Sequence, residues 1–344
     1  MIVDNFPDRT VQIDGEEYLY FGGTSYLGLA TNNEFQKILY KSLIKWGTAY
    51  GSSRNSNIKL SVYEKFENQF SNYIKAESSL AISSGMLAGK YTIDYLSKSI
   101  RSFYHFPKTH PAILSINSLP LFINGKLHPN LLNDKAEDIV ISVDAILSSE
   151  VTPTSFRFLD AISNKKKITL VVDESHSLGI EGKNGEGIFD NIHHHNISRK
   201  IMVSSLAKAL GLSVGVIAAD KEFIEELKSE PIFVAASATN PAFLETYIQA
   251  QNLYKLQREK LQLNLDYVSS SLISATNLKY TIRYPVIYSN DDSIFSTLLK
   301  NKIVISRFKY PTYEGFLNRM VITANHTQND VEKLIAILND NYEK

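Results

Sequence analysis

ITLVVDESHSLG (residues 168–179) and IMVSSLAKALG (residues 201–211) decide how this chain folds. Each opens with a short, β-prone apolar run that ends in polar or charged residues. The first run stops at Asp173, with His176 three residues on. The second stops at Ser204 and Ser205, with Lys208 and Gly211 just beyond. Working outward, further strand-like runs stand at Leu80–Ser83, Ala112–Ile116, Asp138–Val143 and Val214–Ala218, most of them separated by segments long enough for a helix. Alternation of this kind predicts an α/β domain built on a largely parallel sheet. Ligands of such sheets bind beyond the carboxyl ends of the strands, which is where Gly85, Asp144, Asp173 and Lys208 fall.

The texture changes on both sides of this region. Residues 16–30 (EEYLYFGGTSYLGLA) are aromatic and glycine-rich and read as an extended arm with turns. Leu60, Tyr63, Phe66, Phe70, Tyr73 and Ile74 recur at helical spacing and predict one buried helix face. After about residue 225, Pro241 to about Ala275 reads as one long, bent helix. Short strands are expected at Tyr280–Tyr288, Ile303–Arg307 and Arg319–Thr323. A last helix begins at Thr327, with Asp330 three residues later and Val331, Leu334, Ile335 and Leu338 as its buried stripe. The expected division is an N-terminal arm (1–30), a large domain (31–225) and a smaller α+β domain (226–344).

Composition narrows the partners. The 344 residues carry 36 Lys+Arg against 36 Asp+Glu, so no global field draws the chain to nucleic acid or to an anionic membrane. Cysteine is absent, which excludes disulfides and thiol chemistry and fits a reducing compartment. The opening MIVDNFPDRTVQIDGEEYLYF lacks the apolar core of a signal peptide, and no apolar run approaches the roughly eighteen residues of a membrane span. A cytoplasmic protein is the expectation.

Asp173, His176 and Lys208, at matching strand ends, have the chemistry of a pyridoxal-phosphate site. A half-buried lysine with a lowered pKa can attack the cofactor aldehyde as a neutral amine, and a carboxylate can keep the pyridine nitrogen protonated. Taken alone, the DxxH spacing reads equally as a metal half-site or a surface turn, and the lysine as a solvated helix start. Ser204-Ser205 and Ser83-Ser84-Gly85-Met86 lie at strand-to-helix junctions, which suit either a phosphate or a plain helix cap. Arg319, inside an apolar run, either snorkels or clamps a carboxylate. Arg54 reads as anion-directed or as part of a solvated loop. His193-His194-His195 are consecutive, so they cannot converge on one ion, and they read as a polar loop. The glycines of GKNGEG (182–187) lack dinucleotide-fingerprint spacing and read as a tight turn; no metal site is expected.

These motifs resemble the α-oxoamine synthases, a family of fold-type-I pyridoxal-phosphate enzymes, from about Tyr20 to about Leu338. DESHSLGIEGKNGEG (173–187) is similar to the family's D-[DE]-A-H-S-x-G-x-x-G-x-x-G-x-G, and SLAKALG (205–211) to its [TS]-x-x-K-A-x-G. TSYLGLA (24–30), GSSRNSNIKLSVYEKFE (51–67), SSGMLAG (83–89) and NRMVITANHT (318–327) resemble further family segments. The resemblance implies a mostly parallel seven-stranded sheet flanked by helices, a smaller C-terminal domain, and pyridoxal 5'-phosphate bound through Lys208. It implies that Asp173 pairs with the pyridine nitrogen and that His176 bonds the phenolic oxygen. Gly85 and Met86 offer backbone N–H groups, Ser205 reaches the phosphate, and Ser148 and Asp144 lie near the cofactor. Arg319 holds the amino-acid carboxylate, and Ser237 reaches the phosphate from the partner subunit of a homodimer. The implied reaction is decarboxylative condensation of an amino acid with an acyl-CoA thioester, as in 8-amino-7-oxononanoate synthase.

The chain also departs from the family. Its ring-stacking histidine, in N-H-A-S, is matched to NSLPLFING (117–125), which places Leu119 there; the longer stretch before it contains His105 and His110, and whether either substitutes is open at this point. Ile58 and Tyr63 replace a glycine and a histidine, and Val214 replaces one of a glycine pair. That departure leaves two alternatives standing, an aminotransferase and a non-catalytic relative serving as a binding subunit.

Overall fold

The computed structural model describes residues 1–273, 275–309 and 316–342. The chain opens with a hairpin, β1 (Thr10–Ile13) and β2 (Glu16–Phe21), turned at Asp14-Gly15 with positive φ at both residues. Helix α1 (Asn33–Trp46) starts behind Asn32, whose side-chain oxygen accepts the N–H groups of Glu34 and Phe35. Helix α2 (Ser61–Ile74) buries Tyr63, Phe66, Phe70 and Ile74, the stripe its spacing predicts. Strand β3 (Ser78–Ile82), helix α3 (Gly85–Leu96) and strand β4 (Ser102–His105) follow. A short strand β5 (Leu119–Pro120), a small hairpin of β6 (Phe122–Ile123) and β7 (Lys126–Leu127), and one turn of helix, α4 (Pro129–Leu132), lead into the centre.

The central strands are β8 (Glu137–Asp144), β9 (Lys166–Asp173), β10 (Ile197–Ser205) and β11 (Gly215–Ala219). They build a seven-stranded sheet in the order β3-β11-β10-β9-β8-β4-β5. Neighbours from β10 to β5 run parallel, while β11 is antiparallel to both β10 and β3. This is the mostly parallel seven-stranded sheet that the sequence implies. Helix α5 (Lys221–Ser229) comes next. Alternate residues cover the two faces: Val140, Val171, Ile201 and Val203 pack with Tyr91 of α3 and Phe223 of α5, while Ile139, Ile141, Leu170 and Val172 pack with Leu159 and Ile162. Strands covered on both faces carry unbroken apolar runs, which is why these were legible.

One expected strand is absent. Residues 112–116 form no strand; Pro111–Ile113 is a single 3-10 turn, and β4 takes the place in the sheet. Pro111 has no N–H for a ladder and fixes φ, and the His110 ring accepts the N–H of Ala112, closing the turn.

Helices α6 (Pro231–Ala235), α7 (Pro241–Gln249) and α8 (Gln251–Ser271) follow. The bend expected in the long helix is a break at Ala250, with φ −90° and ψ 10°. Strands β12 (Leu278–Thr281) and β13 (Tyr284–Ser289), helix α9 (Ile294–Lys300), strands β14 (Ile303–Phe308) and β15 (Leu317–Val321), and helix α10 (Gln328–Tyr342) complete the chain. A second, six-stranded sheet runs β1-β2-β14-β15-β13-β12. Residues 10–21, read from the sequence as part of an arm, therefore belong to it, through parallel pairing of Leu19 with Ile303. The Arg9 guanidinium grips Asp330 at 2.6 and 2.9 Å and fastens the start of the chain to α10.

Candidate active site

Register brings the acids together. Asp144 and Asp173 end β8 and β9 as a cross-strand pair, and Val203 of β10 lies opposite Asp173. The chain leaving β10 makes a tight loop, closed by Leu206 N–H on Val214 O (2.8 Å) and Leu212 N–H on Leu206 O (3.1 Å), and this loop carries Lys208. Lys208 is half-buried. Burial lowers its pKa, against the opposing pull of the Asp173 and Asp144 carboxylates. Asp173 is buried and accepts the Ser175 N–H at 2.9 Å. Burial, and then the charge of Asp173, pushes Asp144 well above the usual carboxylate range.

His176 and His110 complete the polar floor. The Tyr26 hydroxyl sits 2.9 Å from Nδ1 of His176. Burial, followed by the charges of Lys208, Arg319 and His110, drives the His176 pKa well below its ordinary value, so this imidazole is neutral. His110 directly precedes the 3-10 turn after β4. Its backbone N–H donates to both oxygens of Asp144, at 3.2 and 3.1 Å. Burial lowers its pKa too, and its ring lies within the field of Asp173 and Lys208. His110 therefore stands beside Asp144 at the strand ends, while Leu119 lies on the outermost strand. Leu119 pairs with Tyr104 on the outer strand β5 and is 41% exposed. His110, in Thr109-His110-Pro111-Ala112, is the histidine that the structure sets beside Asp144. The signal for it was a histidine five residues past SFYH, just as Lys208 stands three past the end of β10.

An anion-binding corner adjoins this floor. Ser84 caps α3, its hydroxyl accepting the Leu87 N–H at 3.2 Å. Among the described residues no hydrogen bond claims the N–H groups of Gly85 and Met86. A Cβ on Gly85 would lie 2.5 Å from the Ser205 Cβ, so only glycine lets the start of α3 rest on the end of β10. The Met86 side chain itself is half exposed. The Ser205 N–H donates to the Ser175 hydroxyl at 2.9 Å. The hydroxyl of buried Ser204 has no partner among the described residues.

The second sheet supplies the opposite wall. Arg319 of β15 is buried; its Nη2 donates to Gly23 O at 3.1 Å, while its Nε has no partner among the described residues. Its charge reaches Lys208, His176 and the hydroxyls of Tyr26, Tyr284 and Tyr288. The Tyr288 hydroxyl donates to the backbone carbonyl of buried Ser148 at 2.5 Å, tying the two sheets together beside β8.

Other candidates lie apart from Lys208. Ser237 is exposed and lines a cavity with Arg54, Ile82 and Ser83. Arg54 is neither solvated nor free for an anion. It pairs with Glu67 at 2.7 and 3.0 Å and stacks 4.2 Å from the Tyr63 ring centre. His194 meets Asp160 at 3.4 Å and His195 meets Asn164 at 3.0 Å. Among the described residues no three His, Cys, Asp or Glu side chains are grouped to hold a metal ion. The GKNGEG turn closes over Glu174, whose carboxylate accepts the Ile188 N–H at 3.0 Å, with Gly187 at φ 84° against it. Glu174 and Tyr26 are the site-building residues that motif reading passed over.

Comparison with known proteins converges on this arrangement. The aminotransferase class I and II family matches residues 151–338. The chain is 23% identical to 8-amino-7-oxononanoate synthase 2 of Bacillus subtilis, over 97% of this chain and 90% of that protein. It is 24% identical to a serine palmitoyltransferase of Sphingobacterium spiritivorum, over 95% and 87%. Among solved structures, the serine palmitoyltransferase of Sphingomonas wittichii superposes with a TM-score of 0.82 at 15% identity, covering 98% of this chain and 91% of the other. The 8-amino-7-oxononanoate synthase of Francisella tularensis gives 0.69 at 21%, covering 94% and 97%. The chain belongs to the aminotransferase class I and II family and, within its fold-type-I pyridoxal-phosphate enzymes, to the α-oxoamine synthases.

Proposed function

We propose that this protein is an acyltransferase that condenses an amino acid with an acyl-CoA thioester and releases carbon dioxide. The observation that carries the reading is Lys208, a half-buried amine whose charge burial disfavours, at the strand ends that also hold Asp173 and His176. The residues suit pyridoxal phosphate on three counts: unclaimed N–H groups at the start of α3, a buried Ser204 hydroxyl without a partner, and a buried Arg319 Nε without one. When bound, the cofactor supplies an electron sink for charge developing at the amino-acid Cα.

Each side chain then has a task. Lys208 would hold the cofactor, and its amine, kept neutral by burial, would serve as the base toward the amino-acid Cα. Asp173 holds a proton on the ring nitrogen. His176, neutral, would hold the cofactor as a hydrogen-bond donor, and His110 would line its site. Gly85 and Met86 N–H groups, the Ser205 hydroxyl and a partner subunit's copy of Ser237 hold the phosphate. Asp144 fixes the His110 backbone, Ser148 borders the ring, and Arg319 clamps the substrate carboxylate. Residues 31–225 form the cofactor domain and 226–344 the small domain of a cytoplasmic homodimer. His110, beside Asp144 at the strand ends, supports this reading over the aminotransferase that a missing stacking histidine would favour.

The test is direct. Purified protein supplied with amino acids and acyl-CoA should release free CoA and carbon dioxide, and Lys208→Ala should abolish both. Turnover that requires a keto acid and releases no CoA would overturn the condensation. A Lys208→Ala protein that still carries borohydride-trapped cofactor would overturn the assignment of the lysine.

A further inference from the structure

We propose that Tyr26 and Tyr284 are positioning residues whose hydroxyls hold His176 in the tautomer with a bare Nδ1 and a protonated Nε2. The inference rests on the reading above, in which His176 is a hydrogen-bond donor to the cofactor. Tyr26 is buried, with its hydroxyl 2.9 Å from Nδ1 of His176 and 3.4 Å from the Tyr284 hydroxyl. The Tyr284 hydroxyl is also 3.4 Å from the His176 backbone carbonyl. Three polar groups thus form a closed cluster around one edge of the imidazole.

The proton count decides the direction. Each phenol has one proton and the neutral imidazole has one, on either nitrogen. Tyr284 has two acceptors in reach, the His176 carbonyl and the Tyr26 oxygen. If it donates to the Tyr26 oxygen, the Tyr26 proton is left for Nδ1; if it donates to the carbonyl, the Tyr26 proton has two acceptors, Nδ1 at 2.9 Å and the Tyr284 oxygen at 3.4 Å, and the nearer one is also the stronger base. A phenol is a much stronger acid than a neutral imidazole N–H, and an imidazole nitrogen is a much stronger base than a phenol oxygen. The shortest contact in the cluster is therefore O–H donating to Nδ1, which leaves the ring proton on Nε2. The charged or titratable groups facing the ring are Lys208, Arg319, His110 and the two tyrosines. Burial and the Arg319 guanidinium disfavour the imidazolium, so the ring has one proton to place, and the tyrosines place it.

The two tyrosines come from different parts of the chain. Tyr26 lies in the segment leaving the N-terminal hairpin, and Tyr284 opens β13 of the second sheet. His176 belongs to the loop after β9 of the first sheet. The docking of the second sheet thus sets the donor on the first, a coupling that no contact within the large sheet supplies.

The experiment uses the full chain labelled with 15N-histidine, with and without pyridoxal phosphate, and assigns His176 by subtraction against His176→Gln. The expected result is the Nε2–H tautomer in both forms. Tyr26→Phe should produce mixed tautomers and move the pH midpoint of the bound cofactor's absorbance band by about half a unit or more. Tyr284→Phe should move both in the same direction by less, and it carries the test if Tyr26→Phe does not fold. An Nδ1–H tautomer in the unaltered protein overturns the proposal. So do folded variants in which tautomer and band are unchanged. A chain that takes up no pyridoxal phosphate defeats the functional reading instead, and the tautomer measured on the cofactor-free chain still decides the role of the tyrosines.

Discussion

At the scale of single residues, the site is a set of groups whose ordinary charges are disfavoured by burial. Lys208 and His176 are pushed toward their neutral forms, and Asp144 toward its protonated form. The sequence left His105 and His110 open as substitutes for the missing histidine, because the stretch to Leu119 lacks the spacing that marks the other motifs. His110→Ala should lower turnover by about two orders of magnitude and weaken cofactor retention, whereas Leu119→Ala should leave both near the unaltered values; steady-state rates and cofactor absorbance after dialysis measure this. Glu174 carries a different prediction. Burial raises its carboxyl to about 7 from an ordinary 4.5, opposed by the Ser177 hydroxyl and the Ile188 N–H. The folded state therefore holds a proton between those values that the unfolded chain has released. Its stabilising effect is complete at low pH and is lost as pH rises through about 7, a span of roughly 3 kcal/mol. Thermal melts at pH 5 and pH 8 should differ accordingly, and Glu174→Gln, which mimics the protonated carboxyl, should shrink the difference. An unchanged gap in that variant would place the pH effect elsewhere.

At the scale of elements, strand ends do the positioning. Parallel strands β8, β9 and β10 finish at one edge, so residues far apart in sequence become neighbours without a dedicated scaffold. The long apolar runs made β8, β9 and β10 readable. The Ala112–Ile116 run misled because Ala112 and Ile113 are buried in a proline-started 3-10 turn while Ile116 is exposed, and an apolar run alone does not distinguish a strand from a turn. The contact between α3 and β10 carries an element-scale prediction. Gly85→Ala would put a methyl 2.5 Å from the Ser205 Cβ, so the helix start must withdraw from the strand end. Overpacking of this kind costs about 1–3 kcal/mol. Cofactor affinity, measured by fluorescence titration, should fall more than tenfold. An alanine variant that binds as tightly as the unaltered chain would show that the cofactor does not use this corner.

At the scale of the whole molecule, the two sheets share one site. Tyr284, Tyr288 and Arg319 of the second sheet, with Tyr26 from the segment that follows β2, reach across to His176, Ser148 and Lys208. Ser237 lies outside that cluster within one chain, and the proposed homodimer would carry it to a partner's phosphate site. Sedimentation should therefore give twice the chain mass, and Ser237→Ala should weaken cofactor binding without shifting the mass; a fully active monomer would remove that role. No helix among the described residues is long and apolar enough to cross a membrane. The amino-acid sequence by itself determined the fold class, the lysine and the acid–imidazole pair, because periodic apolar runs and short motifs are local and survive without coordinates. Only the tertiary structure decided that residues 10–21 complete the second sheet, that His110 rather than Leu119 faces Lys208, and that tyrosines from both ends of the chain meet at His176. Those are pairings across dozens to hundreds of residues, set by register and by which surfaces exclude water together, and no local pattern encodes them.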